Sequence, residues 1–369
     1  MIFDETRNRA YLDAMQAHIT ADTVVLDLGA GLGVLGLLAA RAGAKHVYCV
    51  EPSSVARHIT TLAEANGVAD RVTVIRSPIE RAQLPEQVDV ILSVFTGNLL
   101  FTEGLLPSLY HARDRYLKPG GILLPDRARL MLQAVDAGET YKERVGQFRQ
   151  RSLGIDFSPL ASMVANHPAY VSRKTVKPVP MSRPVTATEL DFRSTHVNEV
   201  TFEGNVDASS DGVVNALLGW IDIGLGTSWL STAPDAADVH WSPGLLPFAD
   251  PVEVVAGERL TLKYRFIDDE RMFWSIKAND HQQQQSTVLH NQDLLIDMQL
   301  SAADCTASLS EDGHLLSTAL SMMAKGTPNR VIADALMTAF PGRYPDPVKA
   351  LKAVGRMSAS YRRHPARDA

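Results

Sequence analysis

Cysteine is scarce in this 369-residue chain, with only Cys49 and Cys305 present. Two cysteines, one of them inside an expected strand, argue against a disulfide framework and for a reducing, cytoplasmic setting. No apolar run reaches membrane-spanning length, and Met1-Ile2-Phe3-Asp4-Glu5 lacks the basic and apolar regions of a signal peptide. No membrane partner is expected. Basic charge is not in excess either, with 36 Lys and Arg against 42 Asp and Glu and a formal net charge of -6. That removes the electrostatic ground for a nucleic-acid partner. No His/Cys/Asp/Glu cluster has metal-ligand spacing, so no metal is expected. The rest is ordinary for a globular protein, 45% hydrophobic and 21% charged. The length leaves room for two domains and an appendage.

The most informative stretch is Val24-Val25-Leu26-Asp27-Leu28-Gly29-Ala30-Gly31-Leu32-Gly33, followed by Val47-Tyr48-Cys49-Val50-Glu51. An apolar run of strand length ends in three alternate glycines, a helix follows from about Val34 to Ala42, and a second apolar run ends in an acid. Glycine permits a tight turn and close backbone approach to a ligand. An acid about twenty residues on is placed to accept from both hydroxyls of a ribose. The turn lacks the G-x-G-x-x-G spacing that seats a pyrophosphate on a helix N-terminus. Its D-x-G-x-G-x-G pattern resembles motif I of the class I S-adenosylmethionine-dependent methyltransferases. Asp27, Gly29, Gly31, Gly33 and Glu51 are therefore the candidate cofactor cradle.

Alternating apolar strands and amphipathic helices continue to about residue 125, which predicts a parallel sheet wound by helices, with strands at Thr23–Leu28, His46–Val50, Val72–Arg76, Val88–Ser93 and Gly121–Leu124. Residues 126–300 read as short apolar runs broken by turns, the pattern of an antiparallel β-barrel. Within them 139–166, marked by Tyr141, Val145, Phe148 and Leu153, reads as helical excursions, and the proline-rich stretch through Arg183 as loop. Gln282–Gln285 reads as loop or strand edge. Residues 301–369 read as three short helices of helix-turn-helix type, at Gly313 to Met323, Asn329 to Phe340 and Pro347 to Tyr361. Their apolar spacing resembles that of small helical domains that bind leader peptides.

Beyond the glycine turn, Asp4-Glu5-Thr6-Arg7, Val72-Thr73-Val74-Ile75 through Glu80, Leu117-Lys118-Pro119-Gly120-Gly121, Pro125-Asp126-Arg127-Ala128, Ser231-Thr232-Ala233-Pro234 and Val239-His240-Trp241 resemble, in order, landmarks of the protein arginine N-methyltransferases. The resemblance implies a Rossmann-like methyltransferase domain followed by a β-barrel bearing a helical dimerisation arm at 139–166, and hence a homodimer. It further implies that Arg7 pairs with the methionine carboxylate of S-adenosylmethionine, that Ile79 and Glu80 hold the adenine, and that His240 faces Asp4 to pin barrel to cofactor domain. The product would be S-adenosylhomocysteine.

Two departures shape the functional expectation. The family's substrate loop reads S-E-(eight residues)-E, whereas this chain reads Ser93-Val94-Phe95 on to Glu103, so one of the two glutamates is valine. A guanidinium left half-paired in a desolvated site is costly. The family also places an aromatic-rich helix ahead of Asp-x-x-Arg, and here only three residues precede Asp4, so that lid is expected to be missing. The C-terminal helices are the candidate replacement. The expectation is N- or O-methylation of a non-arginine acceptor, a small molecule, natural product or modified peptide. Glu103 would be the base, with His240 and Asp4 completing the catalytic set, and Val94, Phe95 and Asn98 would line the pocket. Retained arginine methylation, with another acid compensating for Val94, and a non-catalytic cofactor-binding partner protein are the alternatives.

Overall fold

The apolar runs of the N-terminal part form five strands, β1 (Val24–Leu28), β2 (His46–Val50), β3 (Val72–Ile75), β4 (Val88–Ser93) and β5 (Leu117–Leu124), in the computed structural model, which describes residues 1–172, 176–289, 291, 295–296 and 299–361. They make one parallel sheet in the order β3-β2-β1-β4-β5. All five residues of β1 are buried. Such continuous burial is what a sheet covered on both faces requires. Helices α1 (Glu5–Gln16), α2 (Val34–Arg41), α3 (Arg57–Ala65) and α4 (Leu106–Tyr116) accompany the sheet. β5 starts four residues earlier than the sequence suggests. Val88 pairs with Leu117 and Val90 with Ile122, so the Pro-Gly-Gly stretch is a bulge within the strand rather than a turn before it.

From Arg127 onward the strands are antiparallel. β6 (Arg127–Asp136), β7 (Val185–Asp191), β9 (Gly212–Leu225), β10 (Ser228–Ser231) and β11 (Gly244–Val254) belong to one sheet. β8 (Val200–Asp207), β12 (Arg259–Asp268), β13 (Arg271–Ala278) and β14 (His281–Ser286) form a second. β12 buries Leu260, Leu262, Tyr264 and Phe266 at alternate positions, as a strand with one solvated face does. β9, in contrast, is buried along nearly its whole length. The result is the expected barrel-like second half, with the glutamine run as an edge strand.

One continuous core joins the two halves, running from Val25 and Ile91 in the parallel sheet to Phe248 and Trp274 in the barrel. Phe101, after β4, stacks on Phe266 of β12 with ring centroids 5.7 Å apart. The excursion at 139–166 contains α5 (Gly138–Arg144), a two-residue hairpin pairing Arg151–Ser152 with Ile155–Asp156, and α6 (Ala161–Val164). Tyr141 and Val145, which mark it in the sequence, pack on their own barrel, with the Tyr141 hydroxyl donating to the carbonyls of Phe248 and Ala249. Its exposed apolar residues are Leu153, Ile155, Leu160 and Met163 instead.

Residues 1–294 form one compact unit and 295–369 another. The second contains α7 (Glu311–Ala324), α8 (Asn329–Ala339) and α9 (Pro347–Tyr361). Ser310 caps α7 by accepting from Gly313 N–H at 3.1 Å. Leu315, Ile332, Leu336 and Val354 form its core. Among the described residues no helix is long and apolar enough to cross a membrane.

Candidate functional site

The glycine turn leaves β1, the middle strand of the parallel sheet, where the strand order reverses and ligands of such sheets bind. Gly29, Gly31 and Gly33 have φ of 67°, 56° and 78°, a region costly for side chains with a Cβ. Glu51, at the end of β2, closes the turn. Its Oε2 accepts from Gly31 N–H at 2.9 Å and its Oε1 from Ser53 N–H at 2.8 Å. Each oxygen keeps further acceptor capacity, so the carboxylate can serve a pair of hydroxyls while fixing the turn.

Asp27 lies beneath the turn, 3% exposed, and accepts from Gly36 N–H of α2 at 2.7 Å. Burial pushes its carboxyl up to about 7; the Gly36 hydrogen bond and the Arg7 charge oppose that, and Glu51 adds to it. Arg7, on α1, is also 3% exposed, and its Nε and Nη2 donate only to Asn8 Oδ1, at 3.1 and 2.6 Å. No carboxylate among the described residues is within ion-pair distance of it. A buried guanidinium without a carboxylate is a prepared anion site, and the methionine carboxylate of S-adenosylmethionine fits it. Ile79 is buried beside the cradle strands, while Glu80 is exposed and accepts from the Ser108 hydroxyl. Burial disfavours the Glu80 charge, but the Ser108 hydroxyl, its own backbone and the charges of His111 and Arg81 outweigh that and hold the carboxyl below its usual value.

Asp4 and His240 meet as expected. Asp4 caps α1, accepting from Arg7 N–H at 2.9 Å, and its other oxygen takes the His240 main-chain N–H at 2.8 Å with His240 Nδ1 at 2.9 Å. Burial raises the Asp4 pKa, yet these hydrogen bonds leave it below its usual value. For His240, burial outweighs the Asp4 carboxylate and lowers the pKa. Through these three hydrogen bonds the pair acts as a clasp between barrel and α1. Next to it Trp241 Nε1 donates to Thr96 O at 2.7 Å and Ser242 N–H to Asn98 Oδ1 at 2.7 Å.

The loop from Ser93 to Glu103 is thus held from several sides. Tyr11 of α1 donates to Ser93 O at 2.8 Å, and Leu99 fills a slot over Gly219 and Gly244, where any Cβ would come within 2.8 Å of it. Val94 is half-buried against the core. Phe95 lies over the cofactor turn, since a Cβ on Gly29 would sit 2.2 Å from its ring, and Asn98 faces the barrel. Glu103 is exposed, with φ of 76°, and its main-chain N–H donates to both carboxylate oxygens of Asp269, at 3.0 and 2.9 Å. Burial and the Asp269 charge raise its pKa.

Gly36 and Asp269 escaped the sequence reading. Gly36 stands inside a helical pattern, where an isolated glycine is itself a signal of close packing. Asp269 sits in the turn Asp268-Asp269-Glu270 and no local pattern links it to Glu103. Among the described residues no group of three or more His, Cys, Asp or Glu could hold a metal ion.

Residues 25–121 match the methyltransferase domain family and residues 126–276 the arginine methyltransferase oligomerization subdomain. Protein arginine N-methyltransferase 1 of Schizosaccharomyces pombe is 34% identical over 269 residues, covering 70% of this chain and 78% of that protein. Its namesake from Chlamydomonas reinhardtii is 33% identical over 273 residues, covering 71% and 78%. Among solved structures, the Trypanosoma brucei PRMT1 enzyme-prozyme heterotetrameric complex with AdoHcy superimposes with a TM-score of 0.69 at 27% identity, covering 78% of this chain and 96% of that one. Arabidopsis thaliana protein arginine methyltransferase 10, at 23% identity and a TM-score of 0.65, shares the fold. These relatives overturn the non-arginine acceptor inferred from Val94. One substituted glutamate was weighed too heavily against a site that draws on elements far apart in sequence.

Proposed function

Since this chain belongs to the protein arginine N-methyltransferase family and is an S-adenosylmethionine-dependent methyltransferase, we propose that its acceptor is the guanidinium of arginine in a protein or peptide. The observation that carries this reading is Glu103. It is an acid at the end of a loop fixed to both the cofactor turn and the barrel, and no Lys or Arg among the described residues pairs with it.

S-adenosylmethionine supplies an electrophilic methyl group on a sulfonium. Arg7 would hold its carboxylate, Glu51 its ribose hydroxyls, and Ile79 with Glu80 its adenine, over the turn of Gly29, Gly31 and Gly33 above Asp27. Glu103 accepts hydrogen bonds from the guanidinium, drawing positive charge toward itself and orienting a nitrogen for attack. As the new N–C bond forms and the C–S bond breaks, that nitrogen's proton can pass to Glu103 and on to solvent. The raised Glu103 pKa brings it nearer to the range in which a carboxylate acts as a base. Asp4 and His240 keep barrel and α1 in register around the acceptor.

The chain acts as a homodimer in this reading. Support comes from the match to an oligomerization subdomain and from Leu153, Ile155, Leu160 and Met163, which leave apolar surface exposed on the arm. Both described cysteines are free, which suits the cytoplasm. The test is transfer of labelled methyl from S-adenosylmethionine to an arginine-rich peptide and to its lysine counterpart. Transfer to the arginine peptide alone is expected; equal or no transfer removes the reading.

A further inference from the structure

Asp269 and Glu103 approach each other from different parts of the fold. Glu103 ends the loop after β4, while Asp269 lies in the turn between β12 and β13 of the barrel. The turn's cation is already taken, since Arg271 pairs with Asp268. Among the described residues no cation pairs with Asp269 or Glu103. Tyr170 registers both acids. Burial chiefly raises its pKa, a hydrogen bond with Thr102 opposes this, and the Asp269 and Glu103 charges push it further up.

Two neighbouring carboxylates without a cation repel, and the arrangement is relieved when a cation with several donors binds between them. A guanidinium is such a cation, planar and always charged, with N–H groups along more than one edge. The loop bearing Glu103 also carries two buried hydroxyls, Ser93 Oγ and Thr96 Oγ1, that have no hydrogen-bond partner, at residues 1% and 3% exposed. Buried hydroxyls of this kind usually find a partner in protein or ordered water. Val94 offers no charge on that loop.

We propose that Asp269 is the second carboxylate of the acceptor clamp, bracketing the substrate guanidinium with Glu103 in place of the acid absent at Val94. The inference rests on the arginine reading above and names the residue that makes it workable. Because Asp269 comes from the barrel turn and not from the loop, the clamp closes only when barrel and cofactor domain are in register. That gives the Asp4–His240 clasp a functional consequence.

The test measures binding of an arginine peptide and its citrulline counterpart by calorimetry with S-adenosylhomocysteine present, alongside steady-state methylation. Asp269→Asn retains an acceptor for Glu103 N–H and removes the charge. It should raise the arginine-peptide Kd and KM about tenfold or more, leaving S-adenosylhomocysteine affinity and the melting temperature near wild type. Adding Val94→Glu to Asp269→Asn should recover a substantial part of that loss, because a carboxylate returns from the loop side. Tight arginine binding that Asp269→Asn leaves unchanged overturns the clamp but not the arginine reading. Wild-type protein that binds arginine no better than citrulline overturns both.

Discussion

Gly36 N–H donates to Asp27 Oδ2 at 2.7 Å, and a Cβ at Gly36 would come within 2.7 Å of Cys49 Sγ and 2.9 Å of that same oxygen. The position of Asp27 beneath the glycine turn is therefore set by a helix residue outside the glycine motif. Gly36→Ala should destabilise the protein by about 1–3 kcal/mol, the usual range for overpacking a tight interior. It should also weaken S-adenosylmethionine binding by displacing Asp27. Calorimetry and thermal melts on one preparation check both effects, and wild-type values in each would remove Gly36 from the cradle.

Glu51 fixes the turn through Gly31 and Ser53, and in the proposed reading it also offers acceptors to the ribose. Glu51→Ala leaves those two N–H groups unpartnered and removes the ribose contact. Affinity for S-adenosylhomocysteine should fall by about 1.5–3 kcal/mol, the range for hydrogen bonds to a charged group. Unchanged affinity in calorimetry would place the ribose elsewhere.

Asp27 should leave a signature in the pH dependence of stability. Its folded pKa of about 7 lies above the unfolded value of about 3.9, so the native state retains a proton that the unfolded chain releases. The stability this group contributes is complete below about pH 4 and is lost as pH rises through 7. Asp27→Asn cannot ionise, so its melting temperature relative to wild type, measured without cofactor, should climb between pH 4 and pH 8. Carboxyls held low by hydrogen bonds, such as Asp4 and Glu80, affect both proteins alike. A constant difference across that range would mean that Asp27 ionises normally.

The arm tip gives a test of assembly. Leu153 is fully exposed at the turn of its hairpin, with Ile155 beside it. Leu153→Asp should shift sedimentation from dimer toward monomer at micromolar concentration while leaving cofactor affinity intact. Wild type sedimenting as a monomer at tens of micromolar would rule out the homodimer.

The parallel sheet was legible because strands buried on both faces must be continuous apolar runs, and the cofactor turn because it needs glycines and an acid at fixed spacing. Val24–Leu28, His46–Val50 and Val88–Ser93 show this directly. The Pro119–Gly121 bulge was not legible, since a turn and a bulge use the same residues. Tyr141 and Val145 looked like interface residues because sequence shows that an apolar side chain needs burial, not where it finds it. The acceptor end was hardest to read. Val94 marked a lost charge in plain sight, whereas Asp269 lies 166 positions from Glu103 and meets it only through barrel closure.

The site of methyl transfer is the most direct test of the central claim. An arginine peptide incubated with the wild-type protein and labelled S-adenosylmethionine should, on fragmentation by tandem mass spectrometry, carry the methyl group on a guanidino nitrogen. Glu103→Gln should bind the cofactor normally and lower that yield by about a hundredfold or more, since an amide neither carries the charge nor takes the proton. A methyl group found on lysine, histidine or a hydroxyl instead, or undiminished arginine methylation by Glu103→Gln, would contradict the assignment.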